Sequence, residues 1–397
     1  MSVIPEARDE RLEASKNEMI VCSLCGICVP ECPTFQATKL EGFAPRGRIA
    51  LQELLMRGRA KTSQDYVDRI FSCATCKRCN QVCPAKVEQF EMNERARANL
   101  VRKGVAPPQA WVPMTENITK MGNPQGMPPK SRNELFQGML QKPHDPHNPH
   151  VKSDTLFFVG CTYTFRTQNV PRVTAKILEA LNYPFMLLGE EEPCCSDPFY
   201  IVGMRDNFAS AAKKNTALFK EHGVKRIVTI CPLCTKSLRE NYPSYLGSKD
   251  FEVLHISELL SKLIAEGRVK FKEKVPLNVL YHDPCHLGRH LGVFEPPRDV
   301  LRSIPGLKFT DLEGYSKELA WCCGGAIRAG YPRIASNVSD GIIENARKVG
   351  ADTIITACPM CIHSIMVASN FELKVYDLAE VTAAAMGIQK LGSGLIE

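Results

Sequence analysis

The sequence predicts an α+β, multidomain protein: a helical N-terminal domain followed by two α/β repeats. Three observations carry this. A five-cysteine pattern is written twice in the C-terminal part, as Cys161, Cys194-Cys195, Cys231-Pro-Leu-Cys234 and as Cys285, Cys322-Cys323-Gly324, Cys358-Pro-Met-Cys361. Matching cysteines stand 124, then 128, then 127 residues apart, and a register held over that length marks two copies of one supersecondary unit. The C-terminal 245 residues alternate strand and helix patterns, which builds mainly parallel sheets with helices on both faces. The N-terminal region instead sets two close cysteine runs among segments with apolar residues at helical spacing.

Taken in order, residues 1 to about 20 read as a polar helix or arm. Between the two N-terminal cysteine runs, Ile49–Met56 has helical spacing with Gly58 as its stop, and Tyr66–Phe71 reads as a second short helix. Residues 88–103 read as a helix rich in Glu and Arg. From Gly104 to Lys152 nine prolines interrupt periodicity, so this stretch reads as a linker with one short helix near Asn133–Leu140. It carries His144, His147 and His150 alternating with Pro143, Pro146 and Pro149. Histidines at every third position invite a metal, but the prolines favour an extended, solvated segment.

In the first repeat we expect strands at Thr155–Val159, Phe185–Leu188 and Arg226–Ile230, and helices at Pro171–Leu181 and Phe208–Glu221. In the second we expect strands at Asn278–Tyr281 and Thr353–Thr356 and a helix at Ile334–Val349. Gly223 and Gly350 sit at matching places before a strand. Each cysteine of the repeated pattern then falls just beyond a strand or in the loop beside it, where parallel α/β sheets place their ligands.

Composition bounds the chemistry. Apolar content of 44% and charged content of 23% are ordinary for a globular chain. All 18 cysteines fall in four motifs, eight in the N-terminal region and five in each repeat. None is left for a disulfide framework, which points to a reducing, anaerobic cytoplasm. Met1–Lys16 is charged and has no apolar core of the signal-peptide kind. No run of about 18 apolar residues predicts a membrane span of the chain's own. The formal charge of +7 counts metal-ligating thiolates as neutral. With no basic stripe interleaved with aromatics, nucleic acid is not an expected partner.

Thiolates are soft ligands suited to zinc or iron–sulfur clusters, and four suffice for either. Five per repeat is one more than an ordinary site needs. Upstream, Cys22-Ser-Leu-Cys25-Gly-Ile-Cys28-Val-Pro-Glu-Cys32-Pro33 and Cys73-Ala-Thr-Cys76-Lys-Arg-Cys79-Asn-Gln-Val-Cys83-Pro84 match the bacterial ferredoxin pattern. There, three close cysteines hold one cubane and the fourth reaches to the other. That assigns Cys22, Cys25, Cys28 and Cys83 to one [4Fe–4S] cubane cluster and Cys73, Cys76, Cys79 and Cys32 to the second.

The doubled pattern resembles the cysteine-rich CCG domain of heterodisulfide reductases and related iron–sulfur proteins. The forty or so residues between the N-terminal runs, with Ala44-Pro-Arg46-Gly-Arg48, resemble the helical two-cluster domain of succinate dehydrogenase iron–sulfur subunits and of the C-type subunit of heterodisulfide reductase. Arg46 and Arg48 are candidates to neutralise cluster charge. Together the segments resemble the D-type subunit of heterodisulfide reductase, in which C-type and B-type subunits are fused in this order, over residues 15–100 and 155–380. The resemblance implies a ferredoxin-type domain with two [4Fe–4S] cubane clusters at 1–103, a Pro-rich linker at 104–153, and CCG domains at 154–274 and 275–397. It implies Rossmann-like CCG repeats related by pseudo-two-fold symmetry. It further implies two non-cubane [4Fe–4S] clusters, held by Cys161, Cys194, Cys195, Cys231 and Cys234 and by Cys285, Cys322, Cys323, Cys358 and Cys361.

The implied activity is reduction of a disulfide, such as coenzyme M–coenzyme B, with electrons entering through the cubanes. Cys195 and Cys323 are the expected catalytic ligands. His282, His286 and His363, beside second-repeat cysteines, are the expected proton donors, since histidine titrates near neutral pH; Asp283, His290 and Tyr163 stand near cysteines too. Arg166, Arg289 and Arg328 are candidates to pair with an anionic substrate tail. Ser196 departs from the family's glycine. Expected partners are a flavin- or hydrogenase/dehydrogenase-containing electron-donor subunit, with a membrane cytochrome subunit as a further candidate that would bring the chain to the inner face of the membrane. The alternative is a relay subunit of a flavin- or quinone-linked oxidoreductase of the glycolate oxidase, glycerol-3-phosphate dehydrogenase or benzoyl-CoA reductase type.

Overall fold

The computed structural model describes residues 15–140, 144, 145, 147 and 153–392. His150 and most of the expected N-terminal arm lie outside the described residues. The N-terminal region is helical. Its expected helices run Pro45–Met56, with Pro45 in the first turn where no N–H is missed, and Gln64–Phe71, whose first turn is capped by Ser63 Oγ accepting from Tyr66 N. The helix Gln89–Arg102 buries one face against Gln64–Phe71 and another against Asp197–Val202 of the first repeat. Arg97, fully buried on it, donates to the carbonyls of Ile70, Phe71, Cys73 and Ile201. One guanidinium thus ties the second cysteine run to the α/β half.

Two parallel sheets form the rest. The first contains β1 (Thr155–Phe158), β2 (Arg226–Thr229) and β3 (Glu252–His255) in the order β1-β2-β3. The second contains β4 (Asn278–Tyr281), β5 (Lys308–Thr310), β6 (Thr353–Thr356) and β7 (Lys374–Asp377) in the order β5-β4-β6-β7. β1, β2 and β3 thus correspond to β4, β6 and β7. The expected strand at Phe185–Leu188 is reduced to one parallel bridge, Leu156 to Met186, on the edge that β5 fills in the second sheet. On the outer side of this edge, Leu187 N donates to His144 O at 2.8 Å.

The stretch read as a linker is partly structured. Val112–Met121 is a helix ending on Gly122, Trp111 is buried against Phe71, and the expected helix near Asn133–Leu140 is a single turn at Ser131–Glu134. His144 is not solvated: it stacks on Phe185 with ring centroids 3.9 Å apart. Helices Arg205–Glu221 and Pro332–Lys348 occupy matching places in the repeats, and Pro332–Lys348 also packs against Pro33–Thr38 of the N-terminal domain.

Candidate metal centres

Each repeat collects its five cysteines at the C-terminal ends of its strands. β1 leads through Gly160 to Cys161, β2 to Cys231 and the helical turn holding Cys234, and a loop brings Cys194-Cys195. Cys161 lies beside Cys194 and Cys231 beside Cys234. Cys234 Sγ is 3.4 Å from Cys195 Sγ. Gly160 must be glycine: at φ +78° its Cβ would lie 3.1 Å from Cys234 Sγ. In the second repeat Cys285 lies beside Cys322 and Cys358 beside Cys361, and Cys361 Sγ is 3.3 Å from Cys323 Sγ.

The sets are contiguous. Cys358 lies within electrostatic reach of Cys231, and buried Tyr163 lies near both. At the other end Cys76, of the second N-terminal run, lies against Cys322. Arg289 clamps this junction: its Nε donates to Cys76 O at 2.5 Å and Nη1 to Ala320 O at 2.6 Å. His290 Nε2 lies 2.9 Å from Thr75 O, and Arg78 donates to Leu319 O. Cys79 is near Cys76, Cys73 and Cys32, with Cys28 beyond. Cys22, Cys25, Cys28 and Cys83 line one pocket with Arg46 and Gln89. Arg48 Nη1 is 4.0 Å from Cys32 Sγ.

The donor chemistry fits thiophilic metal. All 18 cysteines are free thiols. Cys322 lies against Cys285, Cys323 and Cys76; its contact lowers Cys285 and Cys323 well below the usual thiol range and Cys76 to about 6. Cys194 likewise lowers Cys195 to about 7. Buried thiolates without a nearby cation are costly, and a cluster supplies that charge. Thr75 Oγ1 and Arg289 Nη2, both flanking Cys76, and Gln89 Oε1, on the Cys22 pocket, are buried without a protein partner; such orphans ask for a bound group.

Of the expected proton donors, His282 is buried beside Cys323 and Cys361, with one ligand-capable atom from each within 4.8 Å of the others. His286 Nδ1 is 3.4 Å from Cys285 Sγ and its ring stacks on His290 at 4.4 Å. Burial disfavours its charge, yet the Cys285 sulfur outweighs that and raises its pKa. His363 is half-buried; burial, Arg166 and Arg328 lower its pKa against the pull of Cys323.

One expectation changes, and the three further residues near cysteines have partners of their own. Arg289 does not face a substrate tail; it is buried on carbonyls. His290 is engaged with Thr75 O, Asp283 is held by Arg298 at 2.7 and 2.8 Å, and Tyr163 donates to Asp377 at 2.5 Å. Sequence reasoning missed Arg132, whose Nη2 is 3.2 Å from Cys161 Sγ, and Glu192, which accepts from Arg132, Val159 N and Gly160 N. The acidic run 190–192 just before Cys194 was the available signal for Glu192; Arg132 sat in a stretch with no pattern.

Two family models match: the cysteine-rich domain, CCG, over residues 155–239 and 279–366, and the 4Fe-4S dicluster domain over 18–87. The chain is 32% identical to the D-type subunit of a dihydromethanophenazine:CoB–CoM heterodisulfide reductase from Methanosarcina mazei, covering 94% of this chain and 95% of that one. The B-type subunit of a fumarate reductase (CoM/CoB) from Methanothermobacter marburgensis is 29% identical over 86% of this chain and 66% of its own. An EtfAB:quinone oxidoreductase of Syntrophomonas wolfei is 28% identical over 92% and 58%. A crystal structure of a hypothetical protein from Helicobacter pylori shares the fold at TM-score 0.51 and 12% identity, over 95% of this chain and 72% of that one. No helix among the described residues is long and apolar enough to cross a membrane. With a ferredoxin-like domain ahead of two CCG repeats, and that identity along nearly its whole length, the chain belongs to the family of D-type heterodisulfide reductase subunits, which are iron–sulfur oxidoreductases.

Proposed function

We propose that the chain is the disulfide-cleaving subunit of its complex, taking electrons through two [4Fe–4S] cubanes and reducing a disulfide to two thiols at two non-cubane [4Fe–4S] clusters. The substrate would be a heterodisulfide such as coenzyme M–coenzyme B or a similar molecule. Cys22, Cys25, Cys28 and Cys83 would hold one cubane, and Cys73, Cys76, Cys79 and Cys32 the other. Each five-cysteine set would hold one non-cubane cluster, and the repeats would be Rossmann-like units related by a pseudo-two-fold axis, which their shared strand order supports. Bound there, the clusters would supply one-electron transfer and iron with an affinity for sulfur.

The observation that carries this reading is the succession of sulfurs from Cys76 through Cys322, Cys323, Cys361 and Cys358 to Cys231, Cys234, Cys195 and Cys194. A disulfide requires two electrons and two protons to give two thiols. Two adjoining ligand sets suit a two-electron requirement. His282 and His286 sit at sulfur and can hold a proton there; half-buried His363 joins Cys323 to solvent, beside Arg166 and Arg328. Without a flavin motif, the chain needs a donor subunit carrying a flavin, hydrogenase or dehydrogenase centre. A membrane cytochrome subunit would add attachment at the inner face of the membrane to an otherwise cytoplasmic location.

The test is an anaerobic thiol-release assay on cluster-loaded protein with a panel of disulfides and a chemical reductant. Loaded protein should contain about 16 irons per chain, four for each of four clusters, and release two thiols per disulfide. Protein that reduces no disulfide yet passes electrons to a quinone or another subunit would be a relay instead.

A further inference from the structure

Away from the cysteines, the histidine tract splits in two. His144 turns inward, with Nδ1 3.0 Å from Phe185 O and Nε2 3.0 Å from Glu179 Oε1, so both ring nitrogens are engaged. His147 turns to Glu191, with Nε2 3.1 Å from Oε2. His222, just beyond the helix Arg205–Glu221, brings its own Nε2 to that same oxygen at 2.9 Å. The two imidazoles meet edge to face, centroids 5.2 Å apart. One ligand atom from each of the three residues lies within 4.8 Å of the other two.

The simplest account is a hydrogen-bonded surface triad. An exposed imidazole–carboxylate contact contributes little by itself, and His147 is 63% exposed. Yet three separate parts of the chain converge on one oxygen. We propose that His147, Glu191 and His222 bind one zinc ion, with water completing the shell. Two imidazoles and a carboxylate form a known zinc donor set, whereas calcium and magnesium call for oxygen ligands throughout. Zinc–ligand bonds of about 2.0–2.1 Å at tetrahedral angles put donor atoms roughly 3.3 Å apart. The two nitrogen–oxygen contacts, 3.1 and 2.9 Å, are close to that value, and the two imidazoles offer ligand atoms within 4.8 Å of each other.

The position suggests what the ion does. Glu191 ends the turn Gly189–Glu191. Glu192 follows, holding Val159 N, Gly160 N and Arg132, and Arg132 reaches Cys161. Cys194 comes two residues later. Zinc has no redox chemistry, so its part is structural: it fastens the loop that presents the first five-cysteine set.

Cluster-loaded full-length protein, dialysed anaerobically against buffered zinc, should take up one zinc per chain with iron content unchanged. Glu191→Gln and His222→Ala should each weaken zinc binding by about tenfold or more, as loss of one of three ligands requires. His144→Ala should bind zinc like the wild type, and magnesium should not compete. Zinc should also raise the unfolding midpoint of the wild type but not of Glu191→Gln, because only a ligand bound to the folded state stabilises it. Wild-type protein that takes up no zinc, or Glu191→Gln binding it as tightly as the wild type, would overturn the site.

Discussion

The two repeats share strand order and cysteine spacing but differ in what surrounds their sulfurs. Both touch the ferredoxin-type domain, the first through Ile201 and Arg97, but the second brings a sulfur to it: the Cys322 thiol lies against Cys76, and Arg289 and His290 grip the loop carrying Cys76. In the first, Cys161 is served by the buried Arg132–Glu192 pair, whose side chains are 5% and 2% exposed. Duplication thus kept the ligand set while each copy acquired a different neighbour. One set adjoins Cys76, at the proposed entrance for electrons; the other lies at the far end of the line of sulfurs. Substitutions in each copy and one kinetic measurement probe that difference.

The largest stability effect is expected at Arg132. Removing one member of a buried ion pair leaves the other charge uncompensated, at a cost of about 3–5 kcal/mol. Arg132→Ala should lower the anaerobic unfolding midpoint by several degrees and deplete iron from the first set more than from the second, read by iron analysis and EPR. Equal loss from both sets would mean that Arg132 supports the fold generally.

The matching N-cap positions differ in charge. His255 caps Ile256–Ala265 and Asp377 caps Leu378–Ala385, each within a capping box. Burial takes His255 from 6.5 to about 4 and Asp377 from 3.8 up to about 7. The folded state therefore prefers neutral His255, whose contribution is complete above pH 6.5 and lost as pH falls through 4. It also prefers protonated Asp377, whose contribution is complete below pH 3.8 and lost as pH rises through 7. At about 1.4 kcal/mol for each pH unit between the folded and unfolded values, they are worth roughly 3 kcal/mol at His255 and roughly 4 kcal/mol at Asp377. His255→Asn should flatten the acid limb of a midpoint-versus-pH curve, and Asp377→Asn the limb towards neutrality. Unchanged limbs would show that neither cap titrates as described.

The smallest effect lies at the one motif position where the copies diverge. Gly324 has φ +69°, and a Cβ there would meet Ala335 O at 2.7 Å. Ser196 adopts φ +61° all the same, buried, with its Oγ donating to Cys194 O at 3.2 Å. Gly324→Ser should cost about 1–3 kcal/mol, strain plus clash, while Ser196→Gly should change stability by about 1 kcal/mol or less, since relief of the left-handed backbone is offset by the lost hydrogen bond. Comparable losses on both sides, measured by thermal unfolding, would contradict the asymmetry.

Much of this was legible in sequence because it is local. The helices at Pro45–Met56 and Gln64–Phe71, and the strands β1, β2, β4 and β6, each follow from spacing within one segment. β3, β5 and β7 were not legible. Glu252-Val-Leu-His, Lys308-Phe-Thr and Lys374-Val-Tyr-Asp are three or four residues of mixed polarity, and sheet partners far away in the chain decide them. The cysteines were legible because their chemistry sits in spacing. Arg132 and the Cys76–Cys322 contact depend on tertiary docking, which no local pattern encodes. The tract at His144–His150 misled for the same reason: prolines suggested solvent, while Phe185 and Glu179 supply a buried place for His144.

The central claim is the order of the ligand sets, with the second set's sulfurs between Cys76 and those of the first. Cys195→Ala and Cys323→Ala, each otherwise cluster-loaded, separate the sets. Both variants should lose disulfide reduction while their cubanes stay reducible. The decisive measurement is rapid-freeze EPR after mixing each variant with its electron-donor subunit. The account predicts that Cys195→Ala shows the second set's signal at the wild-type rate, whereas in Cys323→Ala the first set's signal is at least about tenfold slower but still appears with a small chemical reductant, as expected when the intervening link is lost. Prompt donor-driven reduction of the first set in Cys323→Ala would contradict it.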